Sequence, residues 1–228
     1  MKYMGSKNRI AKEILPIILK DRKLGQWYVE PFVGGANAID KVSGNRIASD
    51  TNKYLIEMFK EVSFGWTPKD NYTEEQYRYI KNHKDENTML TGYFAFALSY
   101  GGKFFGGWCR DKDNKRNYVV EAYKNSLKQF PKLLGVSFIC CGYDKLLIPN
   151  NSIIYCDPPY QNTTGYRNKF NHNEFWQWCR EKSNEGHSVF ISEYNAPDDF
   201  KCVWSKEISS SLTKQTGSKK GIEKLFTL

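Results

Sequence analysis

Apolar runs of strand length recur along the chain, separated by stretches in which apolar residues return every three or four positions. Residues 26–30, Gln26-Trp27-Tyr28-Val29-Glu30, lead into a glycine-containing turn, and residues 46–49 end at Asp50. Runs at 136–141 and 152–156 lie close together, 188–192 follows a helical stretch, and 200–208 and 222–228 complete seven predicted strands. The inner runs are almost continuously apolar, as in a parallel sheet covered on both faces. Helical spacing is clearest at 7–19, with Ile10, Ile14, Ile17 and Ile18 on a register that Pro16 disturbs. It returns at 52–62 through Leu55, Ile56, Met58 and Phe59, and at 173–185, where Phe175, Trp176 and Cys179 share a face. Strands alternating with helices predict an α/β doubly wound domain.

The spacing is uneven. Between Asp50 and Val136 lies far more chain than a crossover needs, and it is rich in Tyr and Lys. It carries Ser99-Tyr100-Gly101-Gly102-Lys103-Phe104-Phe105-Gly106-Gly107-Trp108-Cys109-Arg110. A basic, aromatic, glycine-rich loop of this kind points to an inserted recognition subdomain; an ordinary helical insertion bearing a loop is the alternative.

Charge changes the picture modestly. The 228 residues hold 34 Lys plus Arg against 25 Asp plus Glu, a formal net charge of +9, with 15% aromatics. Positive charge beside stacking surface suits a nucleic-acid partner, although a basic soluble protein would look the same. No run approaches the roughly 20 apolar residues of a membrane span, and the basic start Met1-Lys2-Tyr3-Met4 has no signal-peptide core. The six cysteines form no C-x-x-C pair, and three histidines lie apart from them, so no metal site is expected. Adjacent Cys140 and Cys141, inside an apolar run, are expected to be buried free thiols in a reducing cytoplasm.

Three motifs carry chemistry. Val29-Glu30-Pro31-Phe32-Val33-Gly34-Gly35-Ala36-Asn37 runs from a strand into a turn that allows close backbone approach to a ligand; its spacing is not the dinucleotide fingerprint, and alone it could be a tight turn. Asp50 ends the next strand, where a carboxylate can take two ribose hydroxyls or cap the following helix. Asp157-Pro158-Pro159-Tyr160 follows a fully apolar strand. The prolines stiffen the backbone and bring a carboxylate, a carbonyl and an aromatic ring together. Those groups suit the exocyclic amine of a planar base: Asp157 and the Pro158 carbonyl accept its two N–H bonds, and Tyr160 stacks on the ring.

With these motifs in order, the chain resembles the Dam-type (D12, α-class) DNA adenine-N6 methyltransferases. The resemblance rests on Asp157-Pro158-Pro159-Tyr160, Glu30-Pro31-Phe32-Val33-Gly34 and Lys2-Tyr3-Met4-Gly5-Ser6-Lys7, and extends through the tail Ser209-Ser210-Ser211 … Lys219-Lys220-Gly221-Ile222-Glu223-Lys224-Leu225. Cofactor turn, long insertion, then D-P-P-Y is the α-class order. The Gly-Gly-Lys-Phe-Phe-Gly-Gly run and Glu193-Tyr194-Asn195-Ala196-Pro197 are similar to phage-type members.

The resemblance implies a seven-stranded class I (Rossmann-like) methyltransferase sheet. Residues 1–62 and 136–228 would bind S-adenosyl-L-methionine, and 63–135 would form the inserted DNA target-recognition subdomain. It implies cofactor contacts from Tyr3, Lys7, Phe32, Gly34, Gly35, Asp50 and Asp157, and catalytic roles for Asp157, Pro158 and Tyr160. The family's F-x-G-x-G turn has Ala36 at its last glycine here; alanine is small enough that an intact pocket is expected, with Gly35 shifting the turn slightly. Lys103, Arg110, Lys112, Lys115 and Arg116 are expected contacts to double-stranded DNA. No obligate protein partner is implied, and the place of action would be the cytoplasm of a bacterium or of a phage host. Methylation of RNA, or DNA binding without catalysis, are the alternatives.

Overall fold

The computed structural model describes residues 1–111, 113, 115–161, 170–209 and 220–228. In chain order the elements are α1 (Ala11–Ile18), β1 (Tyr28–Glu30), β2 (Arg46–Asp50), α2 (Lys53–Ser63), α3 (Glu74–Asn82), α4 (Thr88–Phe96), α5 (Tyr118–Gln129), β3 (Ser137–Cys140), β4 (Ile153–Cys156), α6 (His172–Asn184), β5 (Ser188–Glu193), β6 (Lys201–Ser209) and β7 (Lys220–Thr227). Each of the seven runs read as a strand is one, and the whole is a mixed α/β protein. No helix among the described residues is long and apolar enough to cross a membrane.

The helix expected over 7–19 divides. Ser6 caps a single 3-10 turn at Lys7–Arg9 by accepting from the Asn8 N–H at 3.2 Å, and α1 begins afterwards. Pro16 lies within α1 on its exposed side. The backbone bond it removes therefore faces water, which makes the interruption tolerable.

The chain groups into two compact units. The first comprises Met1–Lys12 and Val33–Leu146. In it β2 and β3 pair in parallel, from Ile47 opposite Ser137 to Asp50 opposite Cys140. Asn52 caps α2 by accepting from the Leu55 N–H at 3.1 Å, and Leu55, Ile56, Met58, Phe59 and Val62 form its buried face. The insertion is helical: Thr73 and Gln76 make a reciprocal capping box at the start of α3, and α4 is buried from Thr91 to Phe96. Buried Arg46 donates to the carbonyls of Lys132 at 2.6 Å and Leu134 at 2.9 Å, tying the chain after α5 to the start of β2.

Burial along β3 corrects one expectation. Only Phe138 of this strand is buried, stacked 5.1 Å from Phe59, while Cys140 is exposed and Cys141 half-buried. Val136 and Phe138 share the buried face and Ser137 and Ile139 the exposed one, while Cys140 is exposed although it stands two positions after Phe138.

The second unit comprises Glu13–Phe32 and Leu147–Leu228. Strands β1, β4 and β5 are parallel, with Tyr28 opposite Ile153 and Ile153 opposite Ser188. Antiparallel β7 pairs with β5 on one side and β6 on the other. All four residues of β4 are buried, as its continuous apolar sequence requires. Helix α6 buries Phe175, Trp176 and Cys179, the face read from the sequence, together with Trp178.

Candidate active site

In the first unit the chemistry gathers at the turn after Phe32. The Val33 N–H donates to the Ser49 carbonyl at 2.9 Å, which draws the turn against the end of β2. The Gly34 N–H then donates to Asp50 Oδ2 at 3.2 Å, and the Asn52 N–H to Asp50 Oδ1 at 2.9 Å. Helix capping falls to Asn52, which removes that alternative for Asp50. Burial pushes the Asp50 carboxyl up from its ordinary range, while these backbone N–H bonds pull it down.

Tyr3 lies over this turn. A methyl group on Gly34 would sit 2.7 Å from the Tyr3 ring, and one on Gly35 2.5 Å from Tyr3 Cβ. The glycine pair therefore admits the Tyr3 side chain, a use that the motif alone did not reveal. Gly34, at φ 45°, and Ala36, at φ 54°, both occupy the left-handed region. Ala36 thus keeps the conformation that a glycine would take at its position, at a cost of about 1 kcal/mol. Lys7 lies on the 3-10 turn that follows Ser6.

Two supports of this turn escaped the sequence reading. Gln129, at the end of α5, donates its side-chain amide to the carbonyls of Gly35 and Ala36, each at 3.0 Å. Gly102, at φ 65°, packs on the N-terminal segment, and a Cβ there would lie 2.7 Å from the Tyr3 backbone nitrogen; its carbonyl accepts from the Met4 N–H at 3.3 Å. The doubled glycines of the loop hinted at a close approach without naming what approaches.

Among the expected DNA contacts, Lys103, Arg110, Lys115 and Arg116 are all exposed, and Lys112 lies outside the described residues. Arg110 is paired with Glu74, its Nε 3.0 Å from Oε2. Arg116 makes a two-pronged pair with Glu121 at 2.8 Å and lies over the Tyr118 ring. Lys115 stands 3.4 Å from Asp113.

In the second unit β4 delivers Asp157, Pro158, Pro159 and Tyr160. Pro158 is buried, and Asp157 and Tyr160 are half-buried. The Tyr160 hydroxyl donates to Glu223 Oε2 at 2.6 Å, and its ring meets Tyr194 edge-on, centroids 4.7 Å apart. Glu193, 1% exposed, accepts from the Gln161 N–H at 3.0 Å and the Tyr194 N–H at 2.7 Å. Burial, then the Asp157 charge, hold both Tyr160 and Tyr155 far above the ordinary phenol range. Burial likewise raises the Cys156 thiol, which leaves it inert. Phe32, half-buried, meets Phe170 and Phe175 edge-on at 5.8 and 5.6 Å. Glu193 and Glu223 lie in runs quoted for the family resemblance but were given no role of their own; for Glu193 the available signal was a carboxylate ending a buried strand.

A turn that presents a carboxylate, a carbonyl and a braced aromatic ring can hold an amino group on a flat ring. A strand-end carboxylate with both oxygens on backbone N–H groups can hold a diol. The chain is also similar to known proteins. Residues 3–216 match the family described as D12 class N6 adenine-specific DNA methyltransferase. The chain is 26% identical over 208 residues to the Type II methyltransferase M.FokI of Planomicrobium okeanokoites, covering 79% of this chain and 31% of that protein. It is 29% identical over 197 residues to the DNA adenine methylase of Haemophilus influenzae, covering 73% and 67%. It is 25% identical over 222 residues to the retron Ec67 DNA adenine methylase of Escherichia coli, covering 84% and 75%. The chain thus spans less than a third of the first relative and two-thirds to three-quarters of the other two.

Proposed function

Because this chain belongs to the D12 class of N6 adenine-specific DNA methyltransferases, we propose that it transfers a methyl group from S-adenosyl-L-methionine to N6 of an adenine flipped out of double-stranded DNA at a specific sequence. The observation that carries the reading is the Asp157–Tyr160 turn, which follows fully buried β4 and ends in a ring held by Glu223 and Tyr194. Within the family, the Glu193-Tyr194-Asn195-Ala196-Pro197 run and the glycine-rich loop favour the Dam-type, phage-like branch. The same reading includes a doubly wound seven-stranded class I sheet, supported by the antiparallel β7 between β5 and β6. It assigns residues 1–62 and 136–228 to the catalytic domain and 63–135 to target recognition.

The residues present fit the cofactor. Asp50 Oδ2 accepts from the Gly34 N–H and Oδ1 from the Asn52 N–H, the Thr51 N–H also bonds the carboxylate, and its remaining lone-pair capacity suits ribose hydroxyls. In this reading Gly34 and Gly35 give the backbone approach, Tyr3 packs beside the cofactor, Lys7 holds its carboxylate end and Phe32 lines the adenosine side. When bound, S-adenosyl-L-methionine supplies an electrophilic methyl group on its sulfonium.

An adenine amine is a weak nucleophile because its lone pair is conjugated with the ring. Asp157 and the Pro158 carbonyl accept its two N–H bonds, which favours a pyramidal nitrogen and frees the lone pair. Tyr160 stacks on the base and fixes its plane. The new N–C bond would form as the methyl–sulfur bond breaks, and Asp157 would then accept the proton that the positively charged amine nitrogen loses. Orientation and electrostatics supply the acceleration, and no covalent adduct with the protein is needed. Unstacking the base costs roughly a few kcal/mol, and Lys103, Arg110, Lys112, Lys115 and Arg116 offset it through phosphate and groove contacts.

Labelled-methyl transfer to unmethylated duplex DNA and to RNA, with sequencing of adenine methylation in cells that express the protein, tests the reading. Methyl incorporation into duplex DNA at one recurring sequence is expected, and Asp157→Ala should abolish it with the fold intact. Transfer to RNA alone, or full activity in Asp157→Ala, overturns it.

A further inference from the structure

The ring of Tyr160 is held from outside its own turn by Glu223 and Tyr194, and the peptide that follows it by Glu193. Its hydroxyl donates to Glu223 on β7 at 2.6 Å, its edge meets Tyr194 with the planes 83° apart, and the next backbone N–H, of Gln161, donates to Glu193 at the end of β5. Glu193 and Glu223 come from neighbouring strands, since Glu193 pairs with Lys224 in the β5–β7 register. A phenol held only by its backbone can swing about two side-chain torsions. Fixing its far end and its following peptide removes that freedom before any base arrives. We propose that Glu223 is a positioning residue for methyl transfer: by accepting the Tyr160 hydroxyl proton in a hydrogen bond, it sets the ring plane against which the target base stacks.

The inference rests on the reaction assigned above and goes further in one respect. A carboxylate acceptor pushes electron density through the hydroxyl into the ring, and an aromatic face carries the negative lobe of its quadrupole. Positive charge develops on the adenine nitrogen as the new bond forms. A ring held by Glu223 therefore meets that charge with a more negative face, an effect strongest in the transition state. Burial keeps the Tyr160 proton on its oxygen, so the hydroxyl remains the donor. Glu193 shares the work by holding the peptide after Tyr160.

The test measures single-turnover methyl transfer to pooled unmethylated duplex DNA for the wild type, Glu223→Ala, Glu223→Gln, Tyr160→Phe and the Tyr160→Phe/Glu223→Ala double variant. Glu223→Ala should slow the step about ten- to a hundredfold, as misplacement of a reacting group does. Half-saturation by DNA and by S-adenosyl-L-methionine should change less than about threefold, because the interaction acts in the transition state. Glu223→Gln, whose amide oxygen still accepts the hydroxyl, should recover most of the rate. In the Tyr160→Phe background, loss of Glu223 should add nothing.

A wild-type rate in Glu223→Ala, or an equal loss with and without the Tyr160 hydroxyl, overturns the inference and leaves the reaction standing. Should Glu223→Ala fail to fold, Tyr160→Phe decides: an undiminished rate overturns the inference, because the brace acts through that hydroxyl, and a slowed step supports it. A wild-type protein that transfers no methyl group overturns the reaction itself, and this inference with it.

Discussion

Gln129 donates its side-chain amide to the carbonyl of Gly35 at 3.0 Å, across 94 positions of sequence. The same amide reaches the Ala36 carbonyl and Asn37 Oδ1, and the side chain is buried. The glycine turn is thus shaped from below by the last residue of α5. Gln129→Leu leaves buried acceptors without a donor, which costs about 1–3 kcal/mol. Urea denaturation should show that loss, and calorimetry should show weaker binding of S-adenosyl-L-methionine. Unchanged values in both would mean that the turn holds itself.

Gly102 makes a second connection of this kind, from the glycine-rich loop to Tyr3. Gly102→Ala combines a left-handed φ of 65° with a Cβ 2.7 Å from Tyr3 backbone atoms. Backbone atoms cannot give way as a flexible side-chain end does, so destabilisation of about 1–3 kcal/mol is expected. Cofactor affinity should fall with it. A Gly102→Ala protein that binds S-adenosyl-L-methionine normally would separate the loop from the N-terminal segment.

His187 gives the fold a dependence on acid. Its Nδ1 accepts from the Ser152 N–H at 3.0 Å, so the neutral ring is the one that fits, and burial holds its pKa below 6.5 against the opposing pull of Glu185. The folded chain therefore binds fewer protons here than the unfolded chain. The stability this group contributes is complete above about pH 6.5 and is lost as pH falls through the range below. Urea midpoints at about pH 7.5 and 5.5 should differ, and His187→Asn, which keeps an acceptor near the same place, should flatten the difference. An identical slope in the variant would assign the acid sensitivity elsewhere.

If Arg110 contacts DNA as proposed, its pairing with Glu74 competes with that contact. Arg78 shares the same carboxylate at 2.8 Å. These pairs are exposed, so a phosphate can displace the carboxylate readily. Glu74→Gln should tighten binding to arbitrary duplex DNA a few-fold at low salt, whereas Arg110→Ala should weaken it and reduce the salt slope by about one. Fluorescence anisotropy across a salt series measures both. A Glu74→Gln protein with unchanged affinity would show that Arg110 does not meet phosphate.

The strands were legible because their apolar runs are short, separate and bounded by turn residues. The Asp157–Tyr160 turn was legible because two adjacent prolines after a buried strand admit few conformations. Asp50 was ambiguous until Asn52 emerged as the helix cap. The roles of Gln129, Gly102, Glu193 and Glu223 were not legible, because each has a partner distant in sequence and nothing local marks which partner that is. Cys140 and Cys141 misled for a related reason: an apolar run reports that a strand exists, whereas burial of each residue depends on what covers its face. Among the helices of the insertion, which the sequence offered only as an alternative, α4 was hidden because it is buried nearly all round and shows no polar stripe.

The partnership of Tyr160 with Glu223 also has a consequence for the order of synthesis. The two residues stand 63 positions apart, and Glu223 lies on a strand that must insert between β5 and β6. A nascent chain that has emerged from the ribosome through β6 carries the proline turn but lacks the strand that grips its ring. The turn reaches its final shape when β7 slides into place, so the most local motif in the sequence is among the last parts of the molecule to be finished.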